Sequence, residues 1–125
     1  MLDELRELFD EKGAVLSVRS EDDLAAGIGR GQTFAGDNPD AKATLIAAVL
    51  FDGIRTRHPL VDGNKRLAFM AAVTFLDRSG LYLDAPEAPT ARACIEVVEN
   101  TRTIDDLGAF FEAYWEPELP SDGPR

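Results

Sequence analysis

Ten consecutive residues, Leu67 to Leu76, carry no charge: Leu-Ala-Phe-Met-Ala-Ala-Val-Thr-Phe-Leu. A helix of this composition is apolar on every side, and such a helix is stable in water only when its neighbours cover it. The rest of the 125-residue chain must therefore wrap around this segment. That length suits one compact domain, and a hydrophobic content of 45% is enough to fill its core. No apolar run approaches the ~20 residues that cross a bilayer, so no membrane span is expected. The N-terminus, Met-Leu-Asp-Glu-Leu-Arg-Glu-Leu, lacks the basic start and apolar centre of a secretory signal. Cys94 is the only cysteine, which rules out an internal disulfide. Together these features favour a cytoplasmic protein.

The segments around the central helix also read as helices. Leu2, Leu5, Leu8 and Phe9 recur at helical spacing over residues 2–12, with Gly13 as a stop. Ala14 to Val18 is ambiguous. Ser20 is placed to cap a helix opening with Glu21, Asp22 and Asp23. Gly27, Gly29 and Gly31 then argue against a long regular helix, which makes residues 27–38 the least ordered part by composition. The Gly-x-Gly spacing has no strand before it, so it predicts a turn and not a dinucleotide loop. Asn38-Pro39 predicts a helix start, with Asn38 as cap and a helix over 39–57. Leu45, Ile46, Val49, Leu50 and Ile54 form its apolar face, and Arg55 and Arg57 lie in its last turn. Pro59 bars helical continuation, which leaves His58 at a helix end.

After the central helix, Gly80 is a stop and Leu81-Tyr82-Leu83 a short extended piece. A helix over 88–100 packs through Ala93, Ile95, Val97 and Val98, with Cys94 in its core-facing pattern. Thr103 to Asp106 resembles a capping box and opens a last helix bearing Leu107, Phe110, Phe111 and Tyr114. Three prolines from Glu116 onward predict a flexible tail over 116–125, outside a single domain over 1–115. No strand pairing is evident, and the expected fold class is all-α.

Charge narrows the function. A net charge of −10 disfavours binding to nucleic-acid phosphates. Residues 55–66 run the other way, with Arg55, Arg57, Lys65 and Arg66 against Asp62 alone. A small basic island in an acidic chain suits a small polyanion such as a nucleotide, although the same charges would surround an ordinary solvated loop. Within the island lies His58-Pro-Leu-Val-Asp-Gly-Asn-Lys-Arg66, which contains the only histidine and leads into the central helix. Backbone N–H groups at such a helix start bind phosphate oxygens, helped by the helix dipole. Gly63 lets the backbone approach a ligand, Asn64 can donate from its amide, and Arg66 can grip two phosphate oxygens. Lys65 and Arg66 stand at the helix end where cations are unfavourable, a local conflict expected of a functional site. Asp62 is a hard oxygen ligand suited to Mg²⁺, and His58 offers an imidazole, the side chain most often used as a general base. Taken singly, each has a plainer reading: His58 as a dipole partner, Asp62 as a helix cap, Gly63 and Asn64 as turn residues.

The nine residues resemble the signature of the Fic/Doc family, His-x-Phe-x-(Asp/Glu)-Gly-Asn-(Gly/Lys)-Arg, and the resemblance extends more loosely over 20–83. It implies a compact helical domain with the motif on a loop between two central helices. It also implies that His58 deprotonates a hydroxyl of a target protein, that Asp62 holds Mg²⁺, and that Gly63, Asn64, Lys65 and Arg66 cradle the phosphates of ATP. Leu60 stands in place of the family's Phe. Lys65 replaces the Gly of AMP-transferring members, and Phe69 stands where they carry a second Arg. Both departures are similar to the Doc (death on curing) toxins, kinases that phosphorylate a threonine of elongation factor Tu. The expected activity is therefore γ-phosphoryl transfer from ATP, with AMP transfer or an inactive nucleotide-binding module as alternatives. The self-inhibitory pattern of many Fic proteins is matched only in part, by Ser17 and Glu21 followed by Asp22. A separate antitoxin protein is the partner that the resemblance implies.

Overall fold

The computed structural model describes residues 1–11 and 16–117. Among these, six helices follow in order: α1 (Leu2–Glu11), α2 (Glu21–Asp37), α3 (Ala43–Arg57), α4 (Asn64–Arg78), α5 (Glu87–Val98) and α6 (Ile104–Tyr114). Among the described residues the fold is all-α apart from one small antiparallel pair and a single bridge between Val18 and Leu60. The uncharged run lies in α4, where Leu67, Ala68, Ala71, Ala72 and Leu76 are fully buried. Ala47, Ala48, Phe51 and Ile54 of α3, also at 0% exposure, complete the centre of the core. Around this pair, α2 and α6 pack on α3, and α1 packs on α4. Glu4 of α1 also pairs with Arg78 at the end of α4. One side of α4 is less covered than its composition implies: Phe69 and Val73 are half-buried and face a groove.

Two caps read from sequence are in place. Ser20 Oγ accepts from Asp23 N–H at 3.1 Å, and Thr103 Oγ1 accepts from Asp106 N–H at 3.0 Å. Gly80, at φ 78°, follows the end of α4 as expected. Cys94 is buried. The Gly13 stop lies outside the described residues.

Four expectations are corrected. The glycines do not break α2, which runs unbroken through Gly27, Gly29 and Gly31. Gly27 and Gly31 are buried against α3, where an added Cβ would meet Gly53 O at 3.1 Å and Leu50 Cβ at 3.1 Å. The missing side chains let the two helices approach, and that packing outweighs the low helix propensity of glycine. Asn38 ends α2 and does not open α3. Its backbone N–H and its side-chain amide both donate to Phe34 O, at 2.9 and 3.0 Å. The ladder of α3 begins only with Leu45 and Ile46 N–H bonding to Lys42 O. Strand pairing is present: β1 (Leu81–Leu83) pairs antiparallel with β2 (Trp115–Pro117), so Glu116 and Pro117 belong to an ordered ladder. Finally, Ile95 is 42% exposed, and Thr90, Ala93, Cys94 and Val97 form the buried face of α5.

Candidate active site

The loop from His58 to Gly63 links the two central helices, and each residue in it has a physical constraint. α3 ends at Arg57, and His58 follows in the left-handed conformation, φ 47° and ψ 54°. A non-glycine residue there costs roughly 1–2 kcal/mol, and Pro59 further restricts the residue before it. Leu60, 2% exposed, is the apolar anchor of the loop. Val61 turns outward and is 73% exposed. Asp62 Oδ1 accepts from Gly63 N–H at 2.9 Å. Gly63, at φ 86°, takes the left-handed turn that starts α4 without a Cβ penalty.

The loop is held from two sides. Residues 17–20 lie alongside it, with Arg19 N–H donating to Pro59 O at 2.7 Å and Val61 N–H to Ser17 O at 3.0 Å. From α4, Asn64 clamps Leu60 twice: its Oδ1 accepts from Leu60 N–H at 2.8 Å, and its Nδ2 donates to Leu60 O at 3.1 Å. The amide of Asn64 is thus engaged with the loop, and it is the backbone N–H of Asn64 that belongs to the open helix start.

That start is a potential anion nest. The first bond of the α4 ladder runs from Leu67 N–H to Gly63 O at 2.8 Å, and no side chain caps the helix. The N–H groups of Asn64, Lys65 and Arg66 precede this bond and carry the positive end of the dipole. They open on a recess of about 420 Å³ lined by His58, Val61 and residues 62–66, with Val98 of α5 on its edge. Every site residue singled out from the sequence therefore lines one recess. A second groove, about 560 Å³, shares Lys65 and Arg66 with it and continues over Phe69, Val73, Leu83, Cys94 and Ile95. Burial in this groove wall pushes the Cys94 thiol up to about 11.

The basic island divides. Arg55 pairs with buried Asp52 at 2.6 Å, and Arg30 of α2 reaches the other carboxylate oxygen at 2.5 Å. Arg57 lies 3.5 Å from Asp23. Among the described residues, Lys65 and Arg66 pair with no acid. Asp62 lies beside them, exposed, with one oxygen occupied by Gly63. One carboxylate of this kind fits Mg²⁺ that arrives bound to phosphates, because that ion keeps most of its shell as water and phosphate oxygen.

Two contributors escape a reading of the motif. Val98 arrives from a distant helix. Arg19, just before α2, hydrogen-bonds Arg57 O, His58 O and Asp23 with its guanidinium. The hydrogen bond from Arg19 is the main reason that Asp23 is held below the usual carboxylate range, partly offset by burial.

The structure is thus a helical domain in which the single histidine and the uncapped start of α4 line one recess. The chain belongs to the Fic/Doc family, whose model matches residues 11–76, more than half of its length. It is also 40% identical over 74 residues to a curated protein of Mycolicibacterium smegmatis, Toxin Doc. That match covers 58% of this chain and 57% of the relative, so the chain spans little more than half the length of the protein it resembles.

Proposed function

We propose that the chain is a Doc-like toxin that transfers the γ-phosphoryl group of ATP to a hydroxyl of a target protein. The observation that carries the proposal is the recess on which His58, Asp62 and the start of α4 converge. In this reading the phosphates lie against the N–H groups of Asn64 to Arg66, with Lys65 and Arg66 balancing their charge. Asp62 would hold Mg²⁺, which when bound neutralises charge developing on the phosphates. The target hydroxyl gives its proton to the imidazole of His58. The hydroxyl oxygen then bonds to the γ-phosphorus as the bond to the β-phosphate oxygen breaks and ADP leaves. The groove over Phe69 offers apolar room beside Lys65 and Arg66 for base and ribose.

Lys65 and Phe69, at positions where AMP-transferring relatives carry Gly and a second Arg, favour phosphoryl over adenylyl transfer. By the resemblance of its motif to the Doc toxins, the target in this reading is a threonine of elongation factor Tu, and a separate antitoxin holds the protein in check in the cytoplasm. The test is transfer of label from Mg-ATP to lysate proteins, followed by mass spectrometry of the labelled protein. Label from the γ-position alone, lost in His58→Ala, supports the kinase. Label from the α-position establishes AMP transfer, and no transfer at all leaves a nucleotide-binding module.

A further inference from the structure

We propose that Arg19 is the positioning residue of His58, fixing the direction in which its imidazole enters the recess. This rests on the reading of His58 as the general base. Arg19 grips three successive carbonyls at the end of α3. Its Nη2 donates to Arg57 O at 3.1 Å, its Nε to His58 O at 2.9 Å, and its backbone N–H to Pro59 O at 2.7 Å. The carbonyls of Arg57 and His58 belong to the peptide planes on either side of the His58 Cα. Fixing both planes fixes both backbone dihedrals of His58, and hence the direction of its Cα–Cβ bond. Those dihedrals are φ 47° and ψ 54°, which a histidine before proline does not hold unaided.

The guanidinium is itself oriented. Asp23 Oδ2 accepts from Nη2 at 2.8 Å, and Asp23 stands in the first turn of α2, whose cap is Ser20. The chain therefore runs from the cap of α2 through Asp23 and Arg19 to the backbone of His58. A lysine in place of Arg19 has one ammonium and cannot reproduce the fork that spans two carbonyls and a carboxylate. Because Arg19 acts on backbone atoms and is not among the residues that line the recess, it should set turnover and not nucleotide affinity.

Arg19→Met keeps the length of the side chain and the backbone bond to Pro59, so the loop stays attached. His58 is the only histidine in the chain, so in protein isotopically labelled at histidine alone its ring and backbone NMR signals need no assignment by mutation. The expected result is that Arg19→Met shifts or broadens the His58 ring signals and moves its φ-dependent coupling away from the wild-type value. In the transfer assay its KM for Mg-ATP should stay within about twofold while kcat falls about a hundredfold, the scale of a misplaced catalytic group. Arg19→Lys should fall between the two, and methylguanidinium should restore part of the rate to Arg19→Ala. A His58 unchanged in Arg19→Met, or a raised KM with kcat intact, overturns the proposal. Wild-type protein that transfers nothing, with His58 still displaced in Arg19→Met, overturns the role of His58 as base and leaves the positioning intact.

Discussion

The clamp between Asn64 and Leu60 makes a prediction with a magnitude. Asn64→Ala removes two neutral hydrogen bonds, at 2.8 and 3.1 Å, from a peptide whose side chain is 2% exposed. At about 1 kcal/mol net for each, the loss is about 2 kcal/mol. Alanine is the better helix former and returns about 0.5 kcal/mol at the start of α4. The variant should thus be less stable by about 1.5 kcal/mol, which in a domain of this size lowers Tm by roughly 6 °C. Asn64→Asp separates stability from binding. The carboxylate still accepts from Leu60 N–H and suits the positive end of the helix, so its Tm should fall less than that of Asn64→Ala. It also sets a negative charge in the nest, so binding of Mg-ATP or tripolyphosphate should fall at least tenfold. Thermal unfolding and calorimetric titration check both arms. An Asn64→Ala protein that melts within 1 °C of wild type would show that the clamp does not hold the loop.

Other contacts are testable as directly. Gly53→Ala places a Cβ 2.8 Å from Gly27 O, so it should destabilise the α2–α3 contact by about 1–3 kcal/mol, whereas Gly29→Ala meets nothing within 4 Å and should be neutral or stabilising. Cys94, buried with its thiol pushed up to about 11, should react with a thiol reagent at pH 8 only as fast as the protein opens, and fully in denaturant. Asp23 has a lowered folded pKa. Its contribution is therefore complete above the ordinary carboxylate value of 3.8 and is lost as pH falls through the folded value. Asp23→Asn should accordingly flatten the acid limb of the Tm–pH curve.

Features set by neighbours in sequence were legible, and features set by packing partners were not. The uncharged run at Leu67–Leu76 marks the central helix, covered except where Phe69 and Val73 face a groove, and the caps at Ser20 and Thr103 act across three residues. The motif also marked its own recess, because His58 and residues 62–66 are brought together by one short loop. The glycines of α2 mislead because their meaning lies on another helix: only the closeness of Gly53 and Leu50 of α3 explains why Gly27 and Gly31 lack side chains. Asn38 before Pro39 looks like a start, but its amide finds Phe34 O behind it. Arg19 reaches a carbonyl 39 positions away, and no local pattern marks such a bond.

The division of the basic island leads to the sharpest test of the nest. Arg55 and Arg57 face Asp52 and Asp23, so of the four cations Lys65 and Arg66, which pair with no acid among the described residues, are left to a ligand. Both sit in the first turn of α4, where a cation opposes the helix dipole by about 0.3–1 kcal/mol. If they are there for an anion, the empty protein carries that cost and a bound polyphosphate removes it. Lys65→Ala should therefore raise the Tm of the ligand-free protein by roughly 1–4 °C. The same change should remove much of the Tm increase that tripolyphosphate gives the wild type, and added salt should shrink that increase further. A Lys65→Ala protein that melts below wild type without ligand would mean that Lys65 serves the fold, and the anion reading of this helix start would lose its main support.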